Sequence, residues 1–328
     1  MFLQKVKAKP FNNTNMVNQI MTKSDQKIRD IVFPIIRATK THDGIEFKRL
    51  LGTGFLVEKS NLCFTSSNIF QDKNIKNIYC LFVISNKWEA LPITKIVHNE
   101  ILNISSFFIT RPPYESWLNI SKTEHHASCN FMLWGYPDEY LLDNQSDNQS
   151  DNQRPDLAYH QGYIIRRLSN ILSPKGTELF EINLVLSEGC YGSPLIIRDG
   201  NWGVIGIYIG SYKFIINKSY KNILNLINKD DNFWEKLKSD KENRSILNVF
   251  DIILSNSLTS LGIRLIYDGI KKYKTNDSEI KIFTKVISSK EDLKDILNQI
   301  MDLMNEQISI NYGLAVRLSG FDLNCINS

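Results

Sequence analysis

What the chain lacks narrows it first. Five cysteines in 328 residues, Cys63, Cys80, Cys129, Cys190 and Cys325, are few and odd in number, and no two form a CxxC pair. That excludes a disulfide framework and reads as reduced thiols. Long apolar runs are also missing: no segment approaches the ~18 uncharged apolar residues that a membrane span needs. Behind the basic start Met-Phe-Leu-Gln-Lys-Val-Lys-Ala-Lys-Pro no apolar stretch of signal-peptide length follows. The expectation is a cytoplasmic protein with no membrane partner. Charge of one sign is scarce too, at a net +4, which disfavours nucleic acid as a partner, since a dedicated binder carries a strong basic stripe. The His125-His126 pair lacks the i, i+4 spacing of a helical zinc site. Arg166-Arg167 and the lysines near 271–274 read as solvated faces, so neither metal nor cofactor is expected.

What is present is an ordinary globular composition, 42% hydrophobic and 11% aromatic. From Asn15 to about Asp30 apolar residues recur at helical spacing after a loose tail. A β-rich run over 31–39, a Thr-His-Asp-Gly turn and a second run from Ile45 predict a hairpin. Strand-like runs follow at 78–85, 88–97, 131–135, 158–168 and 178–186. The period-four tract Asp143-Asn-Gln-Ser, Asp147-Asn-Gln-Ser, Asp151-Asn-Gln-Arg is too polar to bury a core and predicts a surface loop. Helical spacing covers about 219–256. The last 55 residues read as strand (280–287), helix (289–305, Ser289 capping with Asp292 three residues on) and strand (313–318).

The most specific stretch is Gly189-Cys190-Tyr191-Gly192-Ser193-Pro194, a glycine-punctuated turn before two apolar strands joined at Asp199-Gly200. With Gly52-Thr53-Gly54-Phe55, Thr65-Ser66-Ser67 and Gly135-Tyr136-Pro137 in order, it resembles the trypsin-like (chymotrypsin-fold) serine proteases. The resemblance implies a mainly β protein of two antiparallel six-stranded barrels, with a helical insertion and a small C-terminal β-α-β addition. The corresponding division is 1–30 tail and lead-in helix, 31–273 double barrel with a polar loop at about 142–156, and 274–328 addition. In it, Ser260 to Ile266 stands as the closing strand and 267–273 as the terminal helix.

Laid on the family pattern, Asn68 takes the histidine position, Asn103 the aspartate position and Tyr191 the nucleophile position. An amide does not titrate near neutral pH, and a bulky phenol does not replace a small hydroxyl or thiol that a base can deprotonate. The sequence therefore predicts no enzyme but a degenerate member, a pseudoprotease. Gly189, Cys190, Tyr191 and Gly192 would be a vestigial oxyanion loop. The role implied is a protein-binding scaffold or regulatory subunit that holds a protein or an extended peptide segment in the groove between barrels. Intracellular bacterial members of this kind serve in regulatory or antiviral defence assemblies, which the resemblance offers as a setting. The alternative is an active hydrolase with Cys190 or Ser193 as an unconventional nucleophile. His42, His98, His125, His126 and His160 fall in turns or strand ends far in sequence from the base position and read as surface residues.

Overall fold

The computed structural model describes residues 28–42, 44–57, 61–70, 75–85, 87–99, 102–110, 117–138, 155–168, 178–199, 201–229, 235, 245–255, 261–276, 287–307 and 312–318. Residues 15–27 of the lead-in helix expected over 15 to about 30, the polar tract at 143–153 and most of the expected strand at 280–287 lie outside them.

Six strands form the first unit: β1 (Val32–Thr41), β2 (Gly44–Leu56), β3 (Leu62–Ser66), β4 (Ile78–Ile84), β5 (Lys87–Asn99) and β6 (Ile104–Ile109). They close into a barrel in the order β1-β2-β3-β6-β5-β4, every neighbouring pair antiparallel. Closure leaves no unpaired edge, and it lets β1 bury residues on both faces: Val32, Phe33, Ile35, Ile36 and Ala38 are all enclosed. Phe33 meets Phe82 and Phe107 in the barrel interior, with ring centroids 4.7 and 6.4 Å apart. The hairpin read from residues 31–45 is β1–β2.

The second unit holds β7 (Asn119–Ile120), β8 (Asn130–Gly135), β9 (Ala158–Leu168), β10 (Leu179–Ile182), β11 (Pro194–Asp199), β12 (Asn201–Ser211) and β13 (Gly313–Arg317). The order is β11-β8-β9-β10-β13-β12-β7, and β11 also pairs with β12, so β8 to β13 form a ring with β7 lying parallel to β12. The fold is thus mainly β, with one closed six-stranded antiparallel barrel and a second ring-shaped sheet.

Between β12 and β13 the described residues include the helices α1 (Tyr212–Lys229), α2 (Ile246–Ser255), α3 (Leu261–Asn276) and α4 (Lys290–Gln307). α1 starts where the Ser211 hydroxyl accepts the Phe214 amide at 3.1 Å, an N-cap that turns β12 directly into a helix. Ile215, Ser219, Ile223 and Ile227, four apart, form its buried stripe. The capping box expected at Ser289 is formed at α4: Asp292 N–H donates to Ser289 Oγ at 3.0 Å and Ser289 N–H to Asp292 Oδ2 at 3.1 Å.

Two expectations are corrected. Leu261 to Ile266, expected as the closing strand, opens helix α3: Leu261, Ile263 and Leu265 alternate as in a strand, but Ile266 and Ile270 carry the buried face on at helical spacing. The strand that joins the ring is β13, expected as part of a C-terminal β-α-β addition. It lies between β10 and β12 with Leu314, Ala315 and Val316 fully buried, so the C-terminal strand belongs to the second sheet.

Candidate functional site

The glycine-punctuated turn is built from three overlapping i→i+3 hydrogen bonds. Cys190 N–H donates to Ser187 O at 3.0 Å, Tyr191 N–H to Glu188 O at 3.0 Å and Ser193 N–H to Cys190 O at 3.1 Å. Gly192 then leaves the turn at φ +92°, a conformation L side chains rarely adopt. A Cβ there would stand 2.1 Å from both the Thr53 carbonyl and Thr65 Oγ1, so glycine is demanded by conformation and by space together.

Thr53, the second residue of the Gly-Thr-Gly-Phe stretch, clasps this turn to the first barrel. Its amide donates to the Tyr191 carbonyl at 2.8 Å and its hydroxyl to the Gly189 carbonyl at 2.8 Å, while the same oxygen accepts the Tyr136 amide at 3.0 Å. Only a hydroxyl side chain supplies donor and acceptor in so little volume. Tyr136 in turn donates to the Val32 carbonyl at 3.1 Å, and burial pushes its phenol far above the ordinary value.

Tyr191 is 6% exposed. Its ring packs on Phe214 at 4.9 Å and edge-on to Tyr208 at 5.8 Å. Burial, with Tyr208 and Glu188 adding to it, drives the Tyr191 phenol well above the usual tyrosine range, so the phenolate is strongly disfavoured. The amides of the expected oxyanion loop all point at protein acceptors: Gly189 N–H at Asp138 Oδ1 (3.3 Å), Cys190 and Tyr191 within the turn, and Gly192 N–H at Tyr208 O (2.8 Å).

Asn68 lies in the 3-10 turn Ser67–Phe70 that follows β3. Its Nδ2 donates to the Ile209 carbonyl of β12 at 3.3 Å, and its Oδ1 accepts a hydrogen bond from Lys218 Nζ of α1. Desolvation lowers the Lys218 ammonium to about 8, because burial draws the charged amine out of water. Phe214 and Lys218 are four apart on α1, so a single helix face covers Tyr191 and Asn68 at once. Asn103 comes to the same corner through its backbone. At φ +56° its carbonyl accepts the Ser67 amide at 3.0 Å and the Ser66 hydroxyl at 3.4 Å.

Cys190 and Ser193 are both fully enclosed, and among the described residues the Ser193 hydroxyl has no hydrogen-bond partner. One histidine departs from the surface role read for it, and an exposed one takes part in a hydrogen-bonded pair. His125 is 7% exposed, with Nε2 3.1 Å from Ser121 Oγ and Nδ1 3.8 Å from Cys129 Sγ. His98, on β5, has Nδ1 2.8 Å from Ser105 Oγ, which lies 2.8 Å from Ser67 Oγ, next to Asn68. Sequence reading gave His98 and Ser67 no role at this corner and missed Ser105, Phe214 and Lys218. Only β5–β6 register or the fold of α1 brings them to this corner, and local spacing carries neither. Among the described residues no group of three or more His, Cys, Asp or Glu gathers as a metal site, and no helix is long and apolar enough to cross a membrane.

No family model matches the sequence, and no curated protein matches it. Among solved structures the chain is similar to the Rv3671c protease of M. tuberculosis. The active form is 16% identical over 62% of this chain and 83% of that one, with a TM-score of 0.39. The inactive form is 17% identical over 56% of this chain and 78% of that one, with a TM-score of 0.37. A likeness of this size leaves residue roles to be read from this chain's own geometry. These neighbours are proteases, and with them the expectation that the chain is no enzyme is corrected. Replacement at three positions does not decide it, because the corner around Asn68 holds a histidine hydrogen-bonded to a serine and a lysine of lowered pKa.

Proposed function

We propose that the chain is a protein-binding scaffold of trypsin-like topology, in which helix α1 lies over the surface that would otherwise receive an extended polypeptide segment of a partner. One observation carries this reading: α1 seats Phe214 on Tyr191 and Lys218 on Asn68, the two positions that the sequence pattern marks as the centre of the cleft. The turn and its anchors to Thr53 form a rigid floor. Displacing α1 exposes its buried stripe but leaves the pairings of β12 intact, since the Ser211 cap and the Tyr212 amide on the Tyr312 carbonyl join the helix to the sheet. Binding and chemistry are separable here. Cys190 and Ser193, the alternative nucleophiles, are sealed in the core, which removes the support for a hydrolase acting through either.

Fluorescently labelled unfolded casein serves as the extended polypeptide. The expected result is weak binding by the wild-type chain, measured by anisotropy, and binding about tenfold tighter by a Phe214→Ala/Lys218→Ala variant. Hydrogen exchange over residues 212–229 should rise when casein is added to the wild-type chain. No binding by either protein, with both melting cooperatively, sinks the reading. A gel of the same mixtures reports cleavage separately.

A further inference from the structure

A second constellation lies beside the cleft, on the first barrel. We propose that Ser67 is a nucleophilic hydroxyl, primed through Ser105 by His98, that reacts with small activated esters and related acyl or phosphonyl electrophiles.

The placement follows from strand register. β6 runs between β3 and β5, so Ser105 is the cross-strand neighbour of Thr65 on one side and of His98 on the other. Directly opposed residues in an antiparallel pair hold their Cβ atoms about 4.5–5.5 Å apart, which fits an imidazole–hydroxyl hydrogen bond. The bond is 2.8 Å from His98 Nδ1 to Ser105 Oγ, and the next link, Ser105 Oγ to Ser67 Oγ, is also 2.8 Å. Ser105 is fully buried, Ser67 half-buried and His98 exposed, so the relay runs from a site at the cleft margin, through an enclosed hydroxyl, to a base in contact with solvent. The ring of Phe70, 5.7 Å from that of His98, limits the swing of the imidazole, and the Ser67 amide is held by the Asn103 carbonyl at 3.0 Å. Positive φ at Asn103 aims that carbonyl at the turn, which gives the left-handed residue before β6 a role.

With the imidazole proton on Nε2, Nδ1 accepts from the Ser105 hydroxyl, and Ser105 Oγ accepts from Ser67. A neutral histidine near pH 7 is the ordinary base for such a transfer. When Ser67 Oγ attacks, the new oxygen–carbon or oxygen–phosphorus bond takes its electron pair from Ser67. The Ser67 proton moves to Ser105 as the Ser105 proton moves to His98 Nδ1, and the leaving group departs with the electrons of its own bond. Lys218 Nζ, bound to the side chain of the adjacent Asn68, places a cationic donor at the same corner, suited to charge that develops on the electrophile. α1 covers Tyr191 and Asn68, so the electrophile approaches Ser67 from the first barrel.

The test uses a fluorophosphonate probe on the full chain, with the adduct located by peptide mass spectrometry. One adduct on Ser67 is expected, absent in Ser67→Ala and formed on the order of 100-fold more slowly in His98→Gln. His98 is exposed, so its replacement leaves the barrel intact, which a thermal melt verifies. Added imidazole should restore part of the His98→Gln rate, a rescue that a merely structural histidine does not show. No adduct, an adduct on another residue, or an equal rate in His98→Gln overturns the proposal. None of these readouts depends on casein binding.

Discussion

At the residue scale the molecule turns on Thr53 and Gly192, which join the two β units. Replacing Thr53 with the isosteric valine keeps the volume but leaves the Gly189 carbonyl and the Tyr136 amide buried without their partner. Each unmet group costs roughly 1–3 kcal/mol, so Thr53→Val should destabilise by about 2–4 kcal/mol, read as a lower denaturant midpoint at unchanged slope. Gly192→Ala should cost about 3 kcal/mol or more, because a strained φ adds to a clash with the backbone of Thr53. Both residues belong to stretches that stand out in the sequence, and the reason is now physical: two motifs 136 residues apart are the two halves of one clasp. The thiols also sort themselves by burial. Cys63, Cys80 and Cys190 are fully enclosed and Cys129 is part-exposed beside His125. In a Cys325→Ser background, iodoacetamide should therefore label Cys129 first, and mass spectrometry that finds Cys190 modified ahead of it would contradict the enclosed turn.

At the element scale α1 is the feature with the largest consequence. Its helical spacing was legible from about residue 219, but its first turn was not, because Tyr212 to Ile216 continue the apolar run of β12 and only the Ser211 cap separates the two. The barrel strands were legible for the opposite reason: Gly and Asn-rich turns punctuate short β-branched runs, and local pattern is enough. α3 was misread because a run that satisfies period two for five residues satisfies helical period over sixteen. The cleft positions Asn68 and Tyr191 were legible from flanking motifs, whereas what covers them was not, since Phe214 and Lys218 act on residues 23 and 150 positions away. Burial of Lys218 has a measurable signature. Its folded ammonium releases a proton at about 8, whereas the unfolded chain holds it until about 10.5. Between those values the unfolded state binds more protons, so this group makes stability rise with pH across that window. Unfolding free energies of the wild type and Lys218→Met, compared from pH 7 to 10, should shift progressively in favour of the wild type above pH 8. A difference that stays constant would mean that Lys218 is solvated.

At the scale of the whole molecule the decisive element is β13, the last strand described. By local pattern, Gly313 to Leu318 is one more short apolar segment, and nothing near it in sequence shows that its partners are β10, more than 130 residues earlier, and β12, more than 100 residues earlier. Long-range pairing of this kind is decided by which edges the rest of the chain leaves open. With β12 leading into α1 and β10 paired only to β9 on its other side, the ring has one gap, and β13 fills it. The magnitudes say how much depends on it. Leu314, Val316 and Leu318 are fully buried, and each contributes about 1.5–3 kcal/mol, or roughly 6 kcal/mol together. A domain's whole stability is about 5–15 kcal/mol. A chain ended at residue 311 should therefore lose the second sheet altogether, exposing the unpaired edges of β10 and β12 and aggregating through them. If the C-terminal segment were instead a separate addition on a finished barrel, the same truncation would leave the melting transition in place. Circular dichroism melts of the full and truncated chains distinguish the two, and Val316→Asp, which buries a charge between β10 and β12 without shortening the chain, should reproduce the loss.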